Sequence, residues 1–202
     1  MKMKVGLLTN EIPPIVYGGV ATWIINFLEM FAKDDDIEII PVFLAQLDEP
    51  SGDFPERYPG IRIINGPEDI KNAFADLDAC INNLWVAFDI TKTIKDTYPD
   101  KLMIYVCHSL IKMEHITNMG GPITSNYFEQ EITFQYSDIV VLISNAEKQH
   151  YISFGYDKYE STPHVIYNSY KPKLDYESWR PNYELNDIGY IGRHVPRKRP
   201  DL

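Results

Sequence analysis

Short apolar runs of strand length recur along the chain and give its first structural signal. Runs with little polar alternation are typical of strands that are buried on both faces of a parallel sheet. Seven such runs predict strands, at residues 4–9, 37–43, 61–64, 79–82, 102–106, 139–143 and 164–167. Because helical patterns lie between most of them, the sequence predicts an α/β fold: a Rossmann-like parallel sheet with helices on both faces.

Two helices are clear from the pattern alone. Residues 20–32 carry apolar side chains at helical spacing, namely Ile24, Ile25, Phe27, Leu28 and Phe31. Further along, Ser144 and Glu147 form the spacing of a capping box, which predicts a helix that begins there and ends near Gly155.

Three segments interrupt the alternation. Residues 44–60 and 108–124 predict long irregular connections; the second follows the end of a strand, where ligands of open α/β sheets bind, whereas the first can equally be a solvated loop of no consequence. Residues 171–186 are polar and aperiodic, which predicts a linker, and residues 188–191 predict a new strand. The expected organisation is one domain over 1–170, a linker over 171–186 and the start of a truncated second domain over 187–202.

Composition, charge and cysteine placement disfavour several classes of function. The formal net charge of -10 disfavours nucleic acids and anionic lipid surfaces as partners. Cys80 and Cys107 adjoin apolar runs with no His or Cys at metal-ligand spacing, so we expect reduced core thiols. The sequence shows no signal peptide and no apolar run long enough to span a membrane, which favours the cytoplasm.

The first candidate motif lies between the first predicted strand and the first predicted helix. It runs from Glu11 through Tyr17 to Gly18 and Gly19. Paired glycines let a backbone approach a ligand, and a helix N-terminus favours an anion such as a diphosphate. A purely structural tight turn would show the same sequence pattern. The spacing differs from G-x-G-x-x-G, and no acidic residue follows the second strand at the required place, which disfavours a nicotinamide dinucleotide site.

A second candidate motif follows the predicted strand at 188–191. Arg193 and Lys198 can converge there on one diphosphate, because Arg binds two oxygens in a fork and Lys acts as a point charge. In a reaction they would stabilise a leaving nucleoside diphosphate. The alternative is a basic C-terminal tail without a binding role.

The third candidate is His108, at the carboxyl end of the fifth predicted strand. That edge is where ligands of open α/β sheets bind, although a lone histidine is often only structural. Glu114 and His115 lie in the predicted loop that follows, close enough in sequence to contribute. With Glu11 and Tyr17 they are our candidates for acceptor or loop contacts.

Taken in order, these motifs resemble the retaining GT-B glycosyltransferases, the group that includes glycosyltransferase family 4 and the glycogen and starch synthases. The resemblance covers nearly the whole chain. The matching segments are K-V-G-L-L-T-N-E-I-P-P-I-V-Y-G-G-V at 4–20, V-C-H-S at 106–109, Y-S-D-I-V-V-L-I-S at 136–144, V-I-Y-N-S at 165–169 and G-R-H-V-P-R-K at 192–198.

The resemblance implies a two-domain enzyme that holds a nucleotide-sugar, such as a UDP- or GDP-sugar, between its domains. It implies transfer to a glycan or other acceptor with retention of configuration and without a metal or other cofactor. Gly18 and Gly19 would lie near the donor phosphates and sugar, His108 would be the catalytic residue beside the transferred sugar, and Arg193 and Lys198 would bind the diphosphate.

The sequence departs from the family in several places. Val16 and Tyr17 stand where glycogen synthases carry a lysine shortly before the glycine pair, which disfavours a glucan synthase. Ser169 and Arg199 each replace a glycine that is usual in the family, so both turns are expected to differ. The nucleotide-base pocket and paired glutamates of the second domain would follow Leu202.

Two functions therefore remain open. The first is a glycosyltransferase of which this chain encodes only the N-terminal part, as a fragment, a disrupted gene product or one subunit of a split enzyme. It would be nearly inactive without its missing domain or a partner subunit. The second is a non-catalytic module that binds a glycan or a protein and has lost the donor domain. Retention of Arg193 and Lys198 favours the first.

Overall fold

The computed structural model describes residues 2–16, 18–45, 54–84, 88–117 and 125–168. Strands and helices alternate through these ranges as the sequence predicts. In chain order they are β1 (Met3–Thr9), α1 (Gly19–Phe31), β2 (Ile37–Leu44), α2 (Phe54–Arg57), β3 (Arg62–Ile64), α3 (Pro67–Phe74), β4 (Ala79–Asn82), α4 (Phe88–Thr97), β5 (Leu102–Cys107), α5 (Ile111–Thr117), α6 (Ser125–Gln135), β6 (Ile139–Leu142), α7 (Asn145–Ser153), a 3-10 turn (Tyr156–Lys158) and β7 (Thr162–Val165).

The seven strands form one sheet in the order β3-β2-β1-β4-β5-β6-β7. Every neighbouring pair is parallel. The central strands are β1 and β4. Beside β1 the sheet continues through β2 to β3, and beside β4 it continues through β5 and β6 to β7. This is the order of a doubly wound, Rossmann-like sheet, so the predicted α/β fold is confirmed.

Helices cover the two faces unequally. Crossovers between parallel strands are right-handed, so connections that lead towards β3 lie on one face and connections that lead towards β7 lie on the other. On the first face, α1 packs over β1 and β4 in a cluster that includes Leu7, Ile24, Phe43 and Ile81. On the second face, α3 and α4 bury Phe74 and Ile94 against Leu8, Cys80 and Met103. Further along the second face, α6 and α7 bury Phe134 and Tyr151 against Tyr105, Val140 and Leu142.

The strand predictions hold to within one residue, except at the last strand. β4 begins and ends as predicted, whereas β7 spans Thr162–Val165 rather than 164–167. β7 is an edge strand with alternately exposed and half-buried residues, so it lacks the apolar run that marks the buried strands. The apolar residues Ile166 and Tyr167 follow it and are 60% and 61% exposed.

Two other predictions need comment. The irregular connection predicted over 108–124 is wrong for Ile111–Thr117, which form helix α5, so Glu114 and His115 lie on a helix and not in a loop. The capping box is confirmed in a modified form. The Ser144 side chain accepts a hydrogen bond from the Glu147 N–H at 3.1 Å, but the Glu147 carboxylate accepts from Ile143 N–H instead of from the cap residue.

Both cysteines are free and buried, as expected for reduced core thiols. Among the described residues, no helix combines the length and the apolar character that crossing a membrane requires. The predicted linker over 171–186 and the predicted start of a second domain over 187–202 lie outside the described residues.

Candidate functional site

The topological switch point of the sheet lies between β1 and β4. From β1 the chain crosses towards β2, whereas from β4 it crosses towards β5, so the two connections leave in opposite directions. Such a divergence opens a crevice at the carboxyl ends of the strands, where open α/β sheets bind their ligands. The segments that meet this edge are the loop after β1, Asn82 and Asn83 at the end of β4, and His108 after β5.

The loop after β1 is anchored in the core. Ile12 is fully buried in the cluster beneath α1. Buried Tyr58 donates a hydrogen bond from its hydroxyl to the carbonyl oxygen of Pro13 at 2.7 Å. Earlier in the loop, Glu11 N–H donates to the Thr9 hydroxyl at 3.0 Å. These contacts fix the path by which the chain leaves β1 and reaches the start of α1.

The glycine pair at the start of α1 is not required by the fold. Gly18 has φ -177° and ψ -172°, an extended conformation that any residue can adopt. A Cβ atom on Gly18 would meet Glu11 Oε2 at 3.5 Å, an ordinary contact, and one on Gly19 would meet nothing within 4 Å. Both glycines are exposed. Neither a left-handed backbone nor a close contact with the described residues therefore requires glycine at these two positions.

The N-terminus of α1 is suited to an anion. The N-cap residue, Gly18, has no side chain to cap it, and its first turn contains no acidic residue. The first N–H groups of a helix have no partner within the helix and carry a partial positive charge. A Cβ on Gly18 would lie 3.5 Å from Glu11 Oε2, so the Glu11 carboxylate is itself an anion beside this end of the helix.

His108 lies half-buried against α1. Its ring packs edge-on against Trp23, with 5.3 Å between ring centroids and 75° between ring planes. Burial lowers the pKa of His108 to about 4, so the imidazole is neutral at pH 7. Trp23 is four residues after Gly19, which places its backbone about 6 Å further along α1 at 1.5 Å per residue, and His108 packs against its side chain. The predicted glycine pair therefore lies at the start of α1, and the predicted histidine packs against the same helix at the same edge of the sheet.

Asn83 is the polar partner of His108. Its Oδ1 lies 3.0 Å from His108 Nε2. The side chain is 4% exposed, and its Nδ2 is buried without a hydrogen-bond partner among the described residues. An unmatched buried donor costs about 1–3 kcal/mol, so it stands out in a folded protein. Neighbouring Asn82 points to the other face, where it bonds Thr91 at 2.8 Å.

Gln130 of α6 fixes the segment that follows β5. Its Nε2 donates to Ser109 O at 2.9 Å and to the Tyr105 hydroxyl at 3.0 Å, while its Oε1 accepts from Ile111 N–H at 2.9 Å. The side chain is 1% exposed. Gln130 therefore ties α6, β5 and the start of α5 together directly beside His108.

A cavity of about 310 Å³ lies between α5 and the start of α7. Glu114 lines it and His115 does not, so only the first of these two candidates faces an open space. Burial raises the pKa of Glu147, which also lines the cavity. The complete lining is Ser109, Leu110, Met113, Glu114, Thr117, Ser144, Ala146, Glu147 and His150.

Of the predicted site residues, the structure brings Glu11, Gly18, Gly19 and His108 to the same edge of the sheet. Tyr17, Arg193 and Lys198 lie outside the described residues. Sequence reasoning missed Asn83, Trp23 and Gln130. Only the first had a signal, since two consecutive asparagines at the end of a buried strand are unusual for a core segment and mark its carboxyl end.

Within the described ranges, no group of three or more His, Cys, Asp or Glu side chains could hold a metal ion. The chain matches no protein-family model and no curated protein.

Proposed function

We propose that this chain forms the N-terminal, acceptor-side domain of a retaining glycosyltransferase of the GT-B type, which takes its sugar from a nucleotide-sugar donor. Three observations support the proposal. The sheet has a switch point at β1 and β4, the motif residues of β1, α1 and β5 converge there, and the order of motifs resembles that group of enzymes.

The observation that carries the proposal is the glycine pair. Gly18 and Gly19 are exposed, adopt no conformation reserved for glycine and have room for a side chain. A remaining physical reason for two glycines is the close approach of a group outside the described residues, and we propose that this group is the donor. They stand at the N-terminus of α1, and the N–H groups of a helix N-terminus favour the phosphates of a nucleotide-sugar.

The surroundings of His108 fit the sugar rather than the phosphates. A neutral imidazole exchanges hydrogen bonds with hydroxyl groups but offers no positive charge to a phosphate. In the proposed reaction His108 contacts the transferred sugar, and Arg193 and Lys198 stabilise the leaving nucleoside diphosphate. The acceptor would approach from the side of Glu114, where the cavity beside α5 opens. A second, donor-side domain or a partner subunit would supply the nucleotide pocket.

The test uses the product of the complete reading frame, which also shows whether a second domain with paired glutamates follows Leu202. We expect release of nucleoside diphosphate from one member of a panel of UDP-, GDP- and ADP-sugars when an acceptor is present. Gly18→Ser and Gly19→Ala should reduce that rate at least tenfold. Their free energy of unfolding should stay within about 0.5 kcal/mol of the wild type, because both sites are exposed and unstrained.

Gly60→Ala is the matched control. Gly60 is also exposed and has space for a Cβ, but its φ is +79° and it lies far from the switch point in sequence, before β3. This substitution should lower stability without lowering the rate of transfer at saturating donor. Equal rates in all three variants would remove the role assigned to the glycine pair. Glycan binding without diphosphate release from any donor would favour the non-catalytic module.

A further inference from the structure

The contact between Asn83 and His108 fixes more than the position of a ring. A neutral imidazole carries its proton on one ring nitrogen and a lone pair on the other. In the structure the side-chain oxygen of Asn83 lies 3.0 Å from His108 Nε2. An amide oxygen only accepts hydrogen bonds, so this contact requires the proton to be on Nε2. The other nitrogen, Nδ1, then carries the lone pair.

We propose that Asn83 is a positioning residue for His108, which holds the imidazole proton on Nε2 and leaves Nδ1 as the acceptor that a ligand meets. Two contacts and the burial of Asn83 hold the pair. Asn83 N–H donates to Leu8 O at 3.0 Å, which fixes its backbone beside β1. The Asn83 side chain is 4% exposed, and Trp23 packs edge-on against the imidazole. The pair therefore has little freedom to rearrange.

This tautomer selects the ligand group that can bind. Nδ1 accepts from a hydroxyl or an amide N–H and cannot donate to a phosphate oxygen. The low pKa of His108 has the same consequence, because the ring stays uncharged near neutral pH. The identification of that ligand as a sugar hydroxyl rests on the proposed function, whereas the tautomer itself does not.

The opposite arrangement is chemically possible and makes the proposal testable. If the amide of Asn83 were turned by 180°, its nitrogen would face Nε2, the proton would move to Nδ1, and the ring would present a donor to the ligand. One N–H of the buried Nδ2 would then bond Nε2, while Oδ1 would move to the position where Nδ2 has no partner among the described residues. The two arrangements thus predict opposite chemistry for the same histidine.

Nitrogen NMR on the full chain labelled with 15N-histidine decides between them. Two-bond correlations from the ring protons identify which nitrogen is protonated, and the signals of His108 are assigned by their loss in His108→Gln. At pH 7 we expect His108 as a single Nε2–H tautomer, whereas exposed His164 should show the averaged shifts of two exchanging tautomers. An Nδ1–H signature or averaged shifts for His108 would overturn the proposal, and this wild-type spectrum requires no variant to fold.

Substitutions at position 83 test whether Asn83 is responsible. Asn83→Asp keeps an oxygen facing Nε2, so the Nε2–H form should persist, and the added carboxylate should raise the titration midpoint of His108 by about one pH unit or more. Asn72→Asp is the matched control, because it adds the same charge at an exposed position of α3 on the opposite face of the sheet, and it should leave His108 unchanged. Asn83→Ala should give averaged tautomers.

A pure Nε2–H signature in Asn83→Ala, or equal titration midpoints in Asn83→Asp and Asn72→Asp, would contradict the role of Asn83. These spectra are recorded without donor or acceptor. Failure of the glycosyltransferase assay therefore leaves the tautomer result intact, and an incorrect tautomer leaves that assay intact.

Discussion

Among single residues, Gly6 shows most directly how packing restricts the sequence of β1. A Cβ on Gly6 would lie 2.7 Å from Leu77 Cδ1 and 3.1 Å from Phe74 Cε1, closer than side chains tolerate. Both neighbours are buried in the cluster beneath α3 and α4, so neither can move freely. The glycine therefore permits the close packing of this part of the core against β1.

We predict that Gly6→Ala destabilises the protein by about 1–3 kcal/mol, because the added methyl group overpacks a dense core. Urea denaturation measures the change in the free energy of unfolding. Gly19→Ala adds the same methyl group where nothing lies within 4 Å, so its effect should stay within about 0.5 kcal/mol. An equally small effect at Gly6 would show that Leu77 and Phe74 shift to accept the methyl group and that the core is not overpacked.

His108 should make stability depend on pH. Burial lowers its pKa from 6.5 to about 4, so the unfolded chain binds the proton more readily than the folded chain. The folded state therefore loses stability as pH falls below 6.5, and the loss is complete below about pH 4. Between pH 8 and pH 5 we expect a loss of about 2 kcal/mol from this residue.

The measurement is urea denaturation at pH 8 and at pH 5, in the wild type and in His108→Gln. Carboxylates and the other histidines contribute equally to both proteins, so the difference between the two pH dependences isolates His108. The variant should lose about 2 kcal/mol less than the wild type over this interval. Identical pH dependences would show that His108 is solvated rather than buried.

Among the elements, the strands buried on both faces were predictable and the short or exposed elements were not. β4 was located to the residue because its four positions are all buried and all but the last are apolar. The sequence predicts β7 two residues too far along the chain. One side of this edge strand faces solvent, so it has no apolar run, whereas the apolar residues Ile166 and Tyr167 that follow it have the pattern of a buried strand. α5 was missed because its seven residues are too few to show a helical period.

Only part of the candidate site can be predicted from the sequence. Gly18, Gly19 and His108 could be found because each lies at the end of a recognisable element. The partners of His108 could not, since Asn83 is 25 residues away along the chain and meets it only through the pairing of β4 with β5. The unstrained geometry of the glycine pair also required the structure, because sequence alone left a structural turn and a ligand loop equally open.

Gln130 gives an element-scale prediction, since it joins α6 to β5 and α5. Gln130→Met keeps the approximate volume but leaves Ser109 O, Ile111 N–H and the Tyr105 hydroxyl without this partner. We expect a loss of about 3 kcal/mol in the free energy of unfolding, because buried groups that lose a partner pay their desolvation cost. Thermal and urea denaturation should both detect it.

Gln149→Met is the matched control for this substitution. Gln149 is an exposed residue of α7, so the same chemical change there should alter stability by no more than about 0.5 kcal/mol. An equally small effect at Gln130 would mean that water replaces the lost hydrogen bonds. Gln130 would then not be what fixes the segment after β5.

Over the whole molecule, the winding of the sheet leaves its two faces differently covered. The helices that follow β4 and β6 pack on one face, because all connections leading towards β7 lie there. On the other face, α1 packs mainly over β1, β2 and β4, and an apolar groove of about 400 Å³ lies beside it over β5 and β6. The groove is lined by Trp23, Phe27, Met30, Ile81, Ile104, Val106, Ile139, Val141, Ile143, His164, Ile166, Tyr167 and Asn168.

This groove predicts that the chain associates with itself in solution. Parallel sheets are normally covered on both faces, and a contiguous apolar surface that the other described residues leave accessible favours association. Met30, Ile166 and Tyr167 line the groove and are 63%, 60% and 61% exposed.

Sedimentation velocity over a range of concentrations should therefore show a weight-average mass that rises above that of a monomer. Ile166→Lys should lower this association at least tenfold, because a charge at the groove must be desolvated on contact. Ile116→Lys is the control, since Ile116 is 55% exposed on α5, outside the groove, and carries the same substitution without touching that face. A monomer at all concentrations, or equal effects of the two lysines, would show that this apolar face does not drive association.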